Sequence, residues 1–179
     1  FLRMEKGATI GNLNVAVNLD TMILRENSII NRQNWITGFS IRKISKHFEH
    51  QKNRKSELVV GRESSITKSH HIDCTNSVII GNFVTIAGYR SQFLTHSIDL
   101  YECRQNSKAI YIGDYCFVST AVKILGGSSL HSNSVLGAGA VLNKHFTEKG
   151  MLYAGVPAIP KKKIDENGNY FKREKGFVY

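Results

Sequence analysis

The sequence predicts an all-β fold, a parallel β-helix built from hexapeptide repeats, and two observations predict it. The first is a period of six. Counting from Ile112 in steps of six gives Val118, Ile124, Leu130, Leu136 and Leu142, all aliphatic and without a gap. Four residues after each of the first five comes Cys116, Val122, Ser128, Ser134 or Ala140, mostly small, while Gly113 and Gly137 follow two of the aliphatic residues. The second is that helical spacing of apolar residues is missing over most of the chain, where Val, Ile, Thr, Ser, Asn and Gly are frequent. One six-residue rung is too short to bury its own apolar side chain. Stability then has to come from stacked coils whose inward residues form a continuous column.

Upstream, the same period runs through Val60, Ile66, Ile72 and Val78, slips by two residues, and resumes at Ile80, Ile86 and Gln92. An earlier run of Val17, Ile23, Ile29, Trp35 and Ile41 keeps the spacing with less regular partners. The expected organisation is a single domain in three stretches. Residues 1–57 form less regular coils with a basic excursion, residues 58–147 the regular repeat, and residues 148–179 a C-terminal turn and basic tail.

With 179 residues, 41% hydrophobic and 21% charged, the composition is that of an ordinary one-domain protein. No run approaches the 18 or so apolar residues of a membrane span, and no signal peptide is visible. The chain opens at Phe1 and not at methionine, which leaves open whether its native N-terminus is present. Three cysteines without metal-ligand spacing suit reduced thiols in a cytoplasmic protein, and Cys116 is expected in the core.

The net charge of +10 is unevenly placed. Arg42, Lys43, Lys46, Lys52, Arg54 and Lys55 cluster where the period is lost, and read first as a solvated segment; their charge also suits an anionic or membrane-linked acceptor. Lys161, Lys162 and Lys163, followed by Lys172, Arg173 and Lys175, come directly after the last regular coil and suit phosphate groups. No recognised module accompanies either cluster, so nucleic acid is not an expected partner.

The period breaks over "FLTHSIDLYECRQNSKAIYIGD", where His96 is followed three residues later by Asp99. On both sides the chain resembles a known family. The segment "IGDYCFVSTAVKILGGSSLHSNSVLGAGAVLNKHFTEKGMLYAGVPAIPKKKI" is similar to the C-terminal part of the hexapeptide-repeat acyltransferases, with "GAGAVLNK" and "AGVPA" as its specific parts. Those enzymes include galactoside and maltose acetyltransferases and many polysaccharide O-acetyltransferases. "VGRESSITKSHHIDCTNSVIIGNFVTIAG" resembles the matching coils, and "LTHSID" the active-site segment of the polysaccharide-modifying branch. The resemblance covers roughly residues 58 to 164.

What the resemblance implies is a left-handed β-helix assembled as a homotrimer, with acetyl-CoA held between subunits as acyl donor and no metal. It also implies a loop extruded near the catalytic histidine, at about residues 97–109. His96 is then the candidate general base, since a neutral imidazole suits proton removal from a hydroxyl at cellular pH. Asp99 is the candidate for orienting it, with a backbone carbonyl as the alternative. Ser69, His70, His71 and Asp73 compete for the acceptor contact, at a place where the family commonly shows asparagine. The hexad count sets His71 and His96 near different corners, so the expected site lies between subunits.

For acetyl-CoA, the resemblance carries Thr120 and Ala138 to the pantetheine arm, Asn143 and Lys144 to the phosphates, and Gly155 to the turn beside the adenine. Lys161 and Lys162, with Lys163, stand where the family has arginines, and which of them binds phosphate stays open. The expected reaction is O-acetylation of a sugar in a surface polysaccharide or its precursor. N-acetylation of an amino sugar and a non-catalytic binding solenoid are the alternatives. A zinc site like that of the γ-class carbonic anhydrases finds no support, because Tyr101 stands five residues after His96 and no histidine follows before His131.

Overall fold

Short strands separated by tight turns wind into a left-handed parallel β-helix in the computed structural model, which describes residues 1–178. Each coil contributes one strand to each of three parallel sheets. The first face stacks Leu2–Met4, Thr21–Leu24, Glu57–Val60, Val78–Ile80, Ile110–Ile112 and Ser129–Leu130. The second runs from Thr9–Ile10 through Ser65–Ile66, Thr85–Ile86 and Phe117–Val118 to Val135–Leu136 and Met151–Ala154, where the antiparallel strand Ile159–Lys163 ends it. The third stacks Val15–Val17, Trp35–Gly38, His71–Cys74, Gln92–Leu94, Lys123–Leu125 and Val141–Leu142.

The expected column of Val60, Ile66, Ile72, Val78, Ile80, Ile86, Ile112, Val118, Ile124, Leu130, Leu136 and Leu142 is buried along the axis. Each such side chain contributes about 1.5–3 kcal/mol by leaving water. Cys116 joins this core, and burial pushes its thiol up to about 12. The slip between Val78 and Ile80 has a simple cause: the first-face strand is long enough to turn both residues inward.

Two parts of the expected repeat are corrected. Val17, Ile23, Ile29, Trp35 and Ile41 do not form the inward column; Trp35 is 53% exposed, while Leu24, Ile30 and Ile36 are buried. These strands carry apolar residues on both sides, as in Ile29 and Ile30, so a six-residue spacing fits either column and cannot select the inner one. Further on, Phe93 and not Gln92 enters the core, in register with Ile72 and Ile124. One extra residue at the preceding corner shifts the phase. Gly88 absorbs it at φ 70°, where an added Cβ would lie 2.5 Å from Thr120.

The two basic segments are also more structured than free solvated chain. Residues 39–56 leave the third face and form a cap around a short 3-10 turn, Lys46–Phe48. Arg54 in it is only 8% exposed, and its Nη1 donates to Phe39 O at 2.6 Å and Thr75 O at 2.5 Å. The C-terminal tail runs back along the corner between the first and second faces. There Arg173 lies 3.9 Å from the centre of the Tyr170 ring, donates to Tyr170 O, and reaches Phe83 O. Gly176 N donates to Glu63 at 2.6 Å, fixing the tail beside an early coil.

Candidate active site

Both ends of the third face carry a histidine, and the turn chemistry at each end decides its environment. At the corner with the second face, Gln33, Ser69, Arg90 and Ala121 stack with left-handed backbone, φ 60°, 56°, 59° and 56°. His70 lies in this tight corner and is 1% exposed. Its Nδ1 accepts from Ser91 N at 3.2 Å, its Nε2 is 3.0 Å from Thr67 Oγ1, and its backbone N–H donates to Asn34 Oδ1 at 3.0 Å. Burial pushes its pKa down to about 4, so the ring is neutral and structural. At 1% exposure His70 offers a substrate little surface. Its neighbour His71 is half-buried, and both histidines line a shallow cavity with Trp35, Ser69 and Arg90.

At the opposite corner, the chain leaves the coil after Gln92–Leu94 as an antiparallel hairpin, His96–Asp99 with Arg104–Ser107. The extruded loop is thus a paired ribbon over nearly the expected residues. His96 is exposed at its neck and pairs across with Ser107. Asp73 holds that neck: one carboxylate oxygen accepts from His96 N at 2.8 Å and lies 3.0 Å from Thr95 Oγ1, and the other accepts from Thr75 N and Oγ1 at 2.9 and 2.7 Å. With its oxygens so engaged, Asp73 positions the backbone at His96 and is not placed as a free acceptor contact.

Asp99 is engaged elsewhere. Its carboxylate accepts from Tyr101 N and Glu102 N, both at 3.1 Å, and so caps the hairpin turn. The group that meets the His96 ring is the side-chain oxygen of Gln105, on Nε2. An amide oxygen only accepts, so this contact suits a ring with its proton on Nε2, the neutral tautomer that leaves Nδ1 the lone pair.

Sequence reasoning missed Gln105 and, in the 39–56 cap, Phe48 and Gln51, and it marked Arg54 only as one charge of a cluster. The Phe48 ring stands edge-on to His96 with centroids 5.6 Å apart, and Arg54 lies 4.5 Å from the same ring. Gln51 donates to Asn106 Oδ1 at 2.8 Å and Ser107 O at 2.9 Å, tying the cap to the hairpin. The available signal was that the period fails twice, each time just after a third-face strand.

The remaining candidates divide between the two corners. Thr120 and Ala138 join Ser69 and His71 at the tight corner, where Thr120 Oγ1 donates to Tyr89 O at 3.0 Å and Gly139 N donates to Thr120 O at 3.0 Å. Gly155 is next to them, its carbonyl accepting from Val141 N at 3.0 Å. Asn143 and Lys144 are exposed at the far end of the last third-face strand, on the His96 side. Lys161 and Lys162 are exposed on the terminal strand of the second face. Among the described residues, no three His, Cys, Asp or Glu side chains gather as a metal-ligand set, and no helix is long and apolar enough to cross a membrane.

No protein-family model matches the sequence, and no curated protein does. Solved structures that share the fold include hexapeptide-repeat acetyltransferases. A hexapeptide-repeat containing acetyltransferase from Vibrio cholerae is 25% identical with a TM-score of 0.56, over 60% of this chain and 63% of that one, so the match spans less than two thirds of its length. The polySia specific acetyltransferase NeuO aligns over 91% of this chain and 86% of that one, at 19% identity and a TM-score of 0.56. Galactoside acetyltransferase in complex with coenzyme A aligns over 94% and 72%, at 16% identity and a TM-score of 0.57.

Proposed function

We propose that this chain is an acetyl-CoA-dependent acetyltransferase that esterifies a hydroxyl of a sugar, in a surface polysaccharide or its precursor, within the cytoplasm. The observation that carries the reading is His96, held at the neck of a hairpin extruded from a solenoid that is shared with acetyltransferases, one of them solved with coenzyme A.

In this reaction the lone-pair nitrogen of His96 takes the proton of the acceptor hydroxyl as its oxygen attacks the thioester carbonyl. The tetrahedral adduct collapses, the C–S bond breaks, and the imidazolium returns its proton to the departing CoA thiolate. No covalent enzyme intermediate is needed when both substrates are bound together. Asp73 acts through the backbone of His96, and Gln105 through the ring nitrogen it faces.

The split of candidates between two corners supports an intersubunit site in a homotrimer. His71 and His96 stand at opposite ends of one face, separated by a strand length, so one acceptor cannot reach both within a chain. Packing the tight corner of one subunit against the hairpin corner of the next brings the two sets together. Thr120, Ala138 and Gly155 would then line the donor groove, with Asn143, Lys144, Lys161 and Lys162 supplying polar and cationic groups for the CoA phosphates.

Calorimetric titration of CoA and acetyl-CoA into the wild type and His96→Ala tests the reading. Saturable binding by both proteins, near one site per chain, with acetyl transfer lost only in the variant, is the expected result. No binding by either protein would overturn it. Light scattering should give a mass of three chains.

A further inference from the structure

We infer that the cavity under the 39–56 cap is a binding site for one anionic group, a carboxylate or a phosphate, carried by the acceptor. Its position near His96 matters only if the acetyltransferase reading holds; the cavity's anion chemistry stands on its own. The cavity measures ≈ 260 Å³, and Phe39, Lys43, Phe48, Gln51, Lys52 and Arg54 line it. That is below the volume typical of sites for drug-sized ligands and suits a single substituent with part of a sugar ring.

The charge inside it is unbalanced. Arg54 is buried, yet takes part in none of the ion pairs among the described residues, which use Arg3, Arg25, Arg42 and Lys149. Its Nη1 is satisfied by two carbonyls, but its Nε has no partner. The Asp20 carboxylate is on the same side of the cap, but it accepts from Ser40 Oγ and Ile41 N and pairs with Arg42 at 3.8 Å. Asp20 therefore acts on Arg54 only as a through-space charge and forms no ion pair with it, which leaves part of the desolvation penalty of this buried cation for an incoming anion to relieve. Exposed Lys43 and Lys52 add charge at the rim, against Glu49 as the one carboxylate lining the cavity.

The cavity also has the right neighbour. The Arg54 guanidinium is 4.5 Å from the centre of the Phe48 ring, and the His96 ring is 5.6 Å from it on centroids. Guanidinium and imidazole are thus separated by no more than the sum of those distances, a span that one sugar residue and its acidic substituent bridge. An acceptor held there by its charge sets a neighbouring hydroxyl beside the base. The same walls offer a neutral sugar no counterpart for Arg54.

The test titrates glucuronate, glucose 6-phosphate and glucose into the wild type and into a Lys43→Gln/Lys52→Gln double variant at low salt, with CoA titrated in parallel. These lysines are exposed, so the variant is expected to fold. Binding of at least one anionic sugar but not of glucose, weakened tenfold or more in the variant while CoA affinity is unchanged, supports the site. Preference between glucuronate and glucose 6-phosphate tells a carboxylate source from a phosphate source. Equal binding of all three sugars, no anion binding, an unaffected variant, or displacement of the anion by saturating CoA would each overturn it. Anion binding without any CoA binding would instead remove the acetyltransferase reading and leave the cavity's assignment intact.

Discussion

His70 and His96 mark the two ends of the third face, and the contrast lies in how the chain turns beside them. At His70 every coil turns tightly, the αL residues stack, and the imidazole is sealed against Thr67 and Ser91 and kept neutral by burial. At His96 the chain is twice released from the coil, once at residues 39–56 and once as the 96–107 hairpin. Its imidazole is exposed, held through its backbone by Asp73 and flanked by Phe48 and Gln105. The same side chain becomes a packing unit at one corner and a reactive candidate at the other because exposure to solvent and substrate differs.

The largest expected effect breaks the reactive end. His96→Ala should lower the acetyl-transfer rate by about 10²–10⁴-fold, the range for removing a general base, with thermal stability nearly unchanged because the ring is exposed. Asp73→Asn comes next. An amide turns a donor toward backbone N–H groups that now meet a carboxylate, so the variant should lose about 2–4 kcal/mol of stability in urea unfolding. Transfer should fall about tenfold as the hairpin neck loosens.

The third prediction sharpens the sealed end. The folded His70 pKa is depressed, so between roughly pH 6.5 and pH 4 the unfolded chain takes up a proton that the folded chain refuses. Stability present above that window is progressively lost as pH falls through it, by about 3 kcal/mol for a shift of this size. His70→Gln should flatten the melting temperature across the window, and a slope equal to the wild type's would discard the account. Asp99→Asn has the smallest effect. Because Asp99 caps a turn and does not touch His96, the acid limb of the pH–rate profile should stay in place and transfer should change less than threefold. A displaced limb would restore Asp99 as the orienting group.

The same contrast explains which parts of the site were legible in the sequence. His96 was legible because the period stops around it and "LTHSID" has a family resemblance. Asp99 lies away from the His96 ring because three residues along a hairpin strand carry a side chain to its turn, whereas Gln105 returns on the paired strand. Asp73, an earlier coil's residue, reaches His96 because adjacent third-face strands are in register. Phe48 and Arg54 had no sequence signal beyond a charged, non-periodic stretch, since their partners come from other coils and from the hairpin.

By itself the sequence determined the solenoid, its parallel coils and the aliphatic column from Val60 to Leu142 except where Phe93 replaces Gln92, because a six-residue repeat of aliphatic residues has one way of burying them together. It also marked where the coil opens. Phase in the first coils was decided only by three-dimensional stacking, since Ile23 with Leu24 and Ile29 with Ile30 offer two equivalent columns to a one-dimensional count. Tertiary structure alone decided which histidine is sealed and which charges are buried. Burial, hydrogen-bond partners and the unpartnered Nε of Arg54 are properties of neighbours brought together by folding, which local spacing does not encode.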